Sequence, residues 1–155
     1  MANFVFNIAK GRVAEFYNRV QSNDPANSAL ILVAINTTAT DATLRDLATL
    51  SAVLGDANTD EETNVSYSRI ALTDADLGVL TVDNVNDRMP CDCADQTFSS
   101  ITTSITSWTD LLFCYDPDTT SGTDASIIPL TCNDFAVTPD GSDITAQIAD
   151  FYRAS

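Results

Sequence analysis

The chain has 155 residues, the size of one domain, and its 45% hydrophobic content excludes a disordered polymer. Seven basic residues against 22 acidic ones give a formal net charge of −15. The basic residues are scattered from Lys10 to Arg153, so the composition speaks against nucleic acid or an anionic membrane as partner, because neither phosphate surface finds its cations here. The longest apolar run, residues 29–35, is far short of the ~20 residues that span a bilayer. Lys10 and Arg12 follow the first apolar stretch instead of preceding it, unlike a secretory leader, so folding in a cytoplasm is expected.

In chain order, Phe4, Phe6 and Ile8 alternate as in a short strand. The period then changes. Val13, Phe16, Tyr17 and Val20 fall at i, i+3, i+4 and i+7, one stripe of a helix that ends before Pro25. Residues 29–35 are too uniformly apolar for a half-exposed strand and should be central. Residues 41–54 predict one helix, capped by Thr40 or Asp41, with Leu44, Leu47, Ser51 and Leu54 on a face and Gly55 as a left-handed stop. An acidic loop covers 56–64.

From residue 65 the chain reads as β. Strands are predicted at 65–72, 79–82, 97–101, 111–115, 126–131 and 143–152, separated by Asp, Asn, Gly and Pro clusters. Asp116-Pro117-Asp118 and Thr138-Pro139-Asp140-Gly141 are turn signals: proline sets φ at the first corner, and Gly141 accepts a positive φ. The expected fold is a single mainly-β domain over 1–155, an antiparallel sandwich or barrel with one or two helices in its N-terminal third. Residues 1–22 are expected to form an arm and helix that pack on this β domain or on a neighbour.

The inventory for catalysis is thin. The chain has no histidine, a single lysine and five widely spaced glycines, which removes His-based triads and phosphate-cradling loops. No catalytic residue, metal ligand or cofactor site is assigned, and the chain is read as a non-enzyme. The four cysteines, with Cys91 and Cys93 two apart and Cys114 and Cys132 single, lack the paired C-x₂-C spacing of structural zinc. They read as reduced thiols acting as small hydrophobes; a Cys₄ metal site, or a disulfide joining Cys114 to Cys132 or involving Cys91 or Cys93, are the alternatives. Asp56-x-Asn58-x-Asp60 starts like a calcium loop, but Glu61 stands where the turn needs glycine and Tyr67 where a bidentate glutamate belongs. Asp116, Asp118 and Asp124 are similarly incomplete. A sugar-binding platform on Trp108 and a tyrosine is a minor alternative. The candidate partner-binding residues are Phe4 and Phe6 in the arm and Arg12, Phe16 and Arg19 on the helix.

One order of features runs from the Phe/Tyr-bearing helix over 14–20 and the apolar strand over 29–35. It continues through Ser66-Tyr67-Ser68-Arg69, Asn86-Asp87-Arg88, Asp95-Gln96-Thr97-Phe98 and the strand running from Leu111 to Tyr115-Asp116. Ile127-Ile128-Pro129-Leu130, Asp134-Phe135 and Phe151-Tyr152-Arg153 close it. This order resembles a group of structural proteins from the virions of tailed bacteriophages. Phe98 stands where the group often has tryptophan, and the cysteines are no part of the pattern. The resemblance implies a virion protein of the capsid surface: a decoration or cement protein bound to the outer face of the major capsid protein, self-associating, trimers included. A neck, tail or fibre-attachment protein is the alternative, and a carbohydrate-binding adhesion module a more distant one.

Overall fold

The computed structural model describes residues 3–102 and 107–154. The structure is mainly β and antiparallel, as the turn spacing predicts, and its sheets are not closed into a barrel. A central sheet runs in the order β1 (Phe4–Val5), β8 (Ile128–Val137), β7 (Trp108–Asp116), β2 (Ala29–Thr37), β3 (Thr59–Glu61), with β4 (Ile70–Leu72) also paired to β2. Two small ribbons lie apart from it: β5 (Met89–Cys91) with β10 (Tyr152–Ala154), and β6 (Gln96–Phe98) with β9 (Ile144–Ala146).

β2 takes the central place its sequence predicts, flanked by β7 along one edge and by β3 and β4 along the other. It is apolar on both sides because both faces of the sheet are covered. Leu30, Leu32 and Ala34 face one core with Leu111, Phe113, Tyr115 and Leu130. Ala29, Ile31, Val33 and Ile35 face a second core with Leu112, Cys114 and Cys132. The result is a three-layer arrangement. α1 (Val13–Gln21) and the two ribbons cover the first face, while β1 and the short helices α2 (Asp41–Arg45) and α3 (Leu50–Leu54) supply side chains to the second.

Aromatic rings fasten the first layer. Phe113 stacks on Phe151 at 4.4 Å, Phe16 meets Tyr115 at 4.8 Å, and Trp108 packs edge-on against Phe98 at 5.1 Å. Such pairs contribute about 0.5–1.5 kcal/mol each beyond the area they bury. α1 presents the predicted stripe: Val13, Phe16, Tyr17 and Val20 are all buried. The Tyr17 hydroxyl reaches the carbonyls of Gly78 (2.9 Å) and Asp92 (2.8 Å), tying the helix to the β4–β5 excursion.

Where the structure departs from the sequence expectation, side-chain turn chemistry is the usual reason. The helix predicted over 41–54 is two helices. Thr40 caps the first by accepting from the Thr43 N–H, and Thr49 caps the second by accepting from the Ala52 N–H at 3.1 Å. The break frees the Leu50 and Ser51 N–H groups for the carbonyls of Ile127 and Asp124, both at 2.9 Å. Gly55 ends α3 at φ −86°, not in the left-handed region. The strand predicted over 65–72 shrinks to β4, because the Asn64 carboxamide oxygen accepts from the Ser66 N–H and hydroxyl and bends the chain into a turn. The 143–152 segment divides into β9 and β10 where Asp95 accepts from the Ile148 N–H. β3 and β5 lie in segments without a strand signal. Gly141 does take the positive φ its turn requires, +100°. No helix among the described residues is long and apolar enough to cross a membrane.

Candidate functional site

The five residues singled out for partner binding fall into two groups. Phe4, Phe6 and Phe16 are buried inside this chain. β1 pairs with β8 (Phe4 opposite Cys132), and the Phe6 N–H donates to the Leu130 carbonyl at 3.0 Å. The N-terminal segment is thus an edge strand of its own domain from Phe4 on; residues 1 and 2 lie outside the described residues. Arg12 and Arg19 are exposed, and both bind one carboxylate, Glu15, at 3.0 and 3.1 Å. Arg12 also lies over the Phe16 ring, 4.6 Å from its centroid. The two arginines, one just before α1 and one in its last turn, together with exposed Lys10 give the outer side of the helix a local excess of positive charge.

Three other cations are tied into ion pairs of the chain itself. Arg69 bridges Glu61 and Asp124, Arg88 binds Asp83 at 2.9 Å, and Arg153 pairs with Asp150. Arg45 sits over the Phe4 ring.

The acidic loops read as calcium candidates are turns satisfied by their own chain. Asp56 accepts from the Asn58 N–H, Asp116 from the Asp118 N–H, and Asp118 from Thr120 and Ser121, whose hydrogen bonds pull its carboxyl down to about 2. Asp124 belongs to Arg69. Among the described residues no cluster of three or more His, Cys, Asp or Glu side chains is disposed to hold a metal. Trp108 is buried, with its Nε1–H on the Glu62 carboxylate at 2.7 Å, so its ring is not open to stack on a sugar.

All four cysteines are free and buried. Cys114 stands opposite Pro129 while Cys132 stands opposite Leu112, so the two are a diagonal step apart on neighbouring strands and no disulfide joins them. Burial raises every thiol, Cys91 and Cys93 to about 12. The expected outcome is no alkylation by iodoacetamide in the folded protein at pH 8, and four labels after denaturation, read by mass spectrometry. Rapid labelling of Cys91 or Cys93 in the native state would contradict this.

Asp110 was missed by sequence reasoning, since a lone Asp in an apolar strand carries no distinctive signal. It is 1% exposed, its Oδ1 accepts from the Cys132 thiol at 3.6 Å, and its Oδ2 has no hydrogen-bond partner. Desolvation raises its carboxyl, while the neighbouring Thr109 and Cys132 favour the ionised form. A carboxyl raised in the folded state stabilises most below its unfolded value near 4, and that contribution is lost as pH rises through the raised value. Asp110→Asn is therefore expected to raise stability by about 1 kcal/mol at pH 7–8, with the gain vanishing near pH 4. Thermal melts across that range check it.

The most distinctive surface feature is the excursion between β4 and β10's partner strand β5. Residues 77–93 form an irregular hairpin, bridged at its foot by Leu77 and Cys93 and near its tip by Asp83 and Arg88. The predicted strand 79–82 is one arm of it, without a ladder of its own. Val79, Val82 and Val85 are 73%, 53% and 91% exposed, three of the five large exposed apolar side chains among the described residues. The tip is not loose. Asp83 Oδ1 accepts from the Val85 and Asn86 N–H groups, and Oδ2 accepts from the Asn86 amide and the Arg88 guanidinium. These bonds hold the Asp83 carboxyl at about 2. Asp74, Asp76 and Asp87 are exposed nearby in the chain, making the hairpin acidic. A cleft of about 310 Å³ lies at its foot, lined by Tyr17, Asp76, Gly78, Leu80, Asp92 and Cys93.

No family model, no curated protein and no solved structure matches the chain.

Proposed function

We propose that this protein is a structural virion subunit, a capsid decoration or cement protein that docks on the outer surface of the major capsid protein and stabilises the head. The observation that carries the reading is the ordered, acidic hairpin over 77–93, which holds exposed valines in place where water gains nothing from them. A fixed apolar tip with a charged rim has the anatomy of a protein–protein contact. The strongly acidic remainder suits a protein carried at high density on a shell, where like charge keeps free copies apart. The phage-virion resemblance of the sequence supplies the particle, and repetition by symmetry turns modest contacts into a stable coat.

The test is to purify particles from the source of this sequence, quantify the chain by mass spectrometry and locate its density. A copy number comparable to that of the shell subunit, with density on the outer surface, is the expected result. A single ring of copies at the neck or tail would replace decoration with attachment. Absence from particles would end the virion reading.

A further inference from the structure

We infer that the hairpin over 77–93 docks on a second copy of this chain, against the basic surface made by Ile8, Lys10, Arg12 and Arg19. The inference deepens the packing-subunit reading above and rests on it for its biological setting, but not for its test.

Two surfaces of the same molecule complement each other. The hairpin offers apolar Val79, Val82 and Val85 beside the carboxylates of Asp74, Asp76 and Asp87. A matching receptor needs exposed apolar area beside a local excess of positive charge. Arg69, Arg88 and Arg153 do not supply it, since each is held by carboxylates of its own chain. Along α1, from the turn before it to its last turn, Lys10, Arg12 and Arg19 stand with one paired carboxylate, Glu15, between the arginines, and Ile8, two residues before Lys10, is 38% exposed. Net repulsion between two copies does not forbid the contact. At physiological ionic strength exposed charges more than about 8 Å apart are largely screened, so the local charges decide.

The hairpin and the receptor are different patches, so two copies meet either reciprocally in a two-fold dimer or head-to-tail in a ring or chain, according to the rotation between copies. Preorganisation of the tip by Asp83 and Arg88 keeps the ordering cost of docking low.

The experiment uses the purified full chain and sedimentation velocity over a concentration series. Wild type is expected to self-associate. Val82→Ser/Val85→Asp and, separately, Arg12→Glu/Arg19→Glu are expected to weaken association by about 100-fold while keeping the native circular dichroism spectrum. Asp74→Lys/Asp87→Lys is expected to fail with itself yet to associate with Arg12→Glu/Arg19→Glu, whose charges it now complements. Wild type that stays monomeric, hairpin variants that associate normally, or a swapped pair that does not restore association would each overturn the inference. The particle experiment is read separately: self-association without presence in particles sinks the virion reading alone.

Discussion

Removing residues 1–8 is expected to unfold the protein. An arm docked only on a neighbour would leave the domain folded after this deletion. The structure changes the expected result because Phe6 is fully buried and Phe4 is 8% exposed, both within the second core. Loss of a buried phenylalanine side chain costs about 3–5 kcal/mol. Two such losses come to about 6–10 kcal/mol, against a typical total stability of about 5–15 kcal/mol. The deletion also strips the hydrogen bonds between β1 and β8 and exposes apolar surface under Ile31 and Cys132. Thermal melts followed by circular dichroism check this: the deleted chain should show no cooperative transition. Phe6→Ala alone should fold, with Tm lowered by roughly 6–20 °C. A folded deletion variant with near-native Tm would restore the arm as a detachable element.

The second large effect falls on Arg69. Its guanidinium makes two hydrogen bonds to Glu61 (2.7 and 2.6 Å) and two to Asp124 (2.6 and 3.0 Å), and Tyr67 adds its hydroxyl to the same Glu61 oxygen at 3.1 Å. The group clamps β3, β4 and the loop before β8 along the edge of β2. Bidentate geometry makes it stronger than an ordinary surface pair, while side-chain exposures of 28% for Arg69 and 36% for Asp124 reduce its worth. Arg69→Ala is expected to cost about 3 kcal/mol, because it leaves the largely buried Glu61 carboxylate without its cation. Replacing both partners by neutral side chains of similar shape, Glu61→Gln with Arg69→Met, should cost less than Arg69→Ala alone.

The pH dependence of that loss has a definite sign. Arg69 holds the Asp124 carboxyl below its ordinary value. A carboxyl lowered by folding stabilises above its unfolded value near 4, and the contribution is lost as pH falls through the lowered value. The stability gap between wild type and Arg69→Ala should therefore be full at pH 6–7 and shrink below about pH 4. Urea titrations at several pH values measure it directly. A gap that persists unchanged into acid would assign the cost to lost packing of the arginine stem instead.

Several elements were legible because local pattern and tertiary demand agree. The stripe of Val13, Phe16, Tyr17 and Val20 is amphipathic at a helical period, and α1 lies over the sheet with that stripe inward. The run 29–35 is apolar on both alternations, and β2 is covered on both faces. Agreement fails where hydroxyl and carboxamide side chains compete for the backbone. Thr49 restarts a helix in mid-segment, and Asn64 replaces a strand by a turn, each through a bond worth little on its own.

The candidate contact residues show the same division. Phe4, Phe6 and Phe16 carry an apolar signature that fits a neighbour or a core equally well, since burial is indifferent to which chain supplies the cover. Only the placement of β1 beside β8 shows that their own chain supplies it. Conversely, Val79 and Val82 read as strand residues, yet β5 pairs with β10 and leaves their arm without a partner strand.

The sequence by itself determined the antiparallel, mainly-β character, the amphipathic helix, the central strand, the acidic surface and the lack of histidine chemistry. These depend on composition and on periods within single segments. Tertiary structure alone decided that the N-terminal strand belongs to the domain, that Asp110 is buried, and that three valines stand exposed on a fixed hairpin. Those outcomes depend on which distant segment arrives to cover a given face, and no local period encodes that.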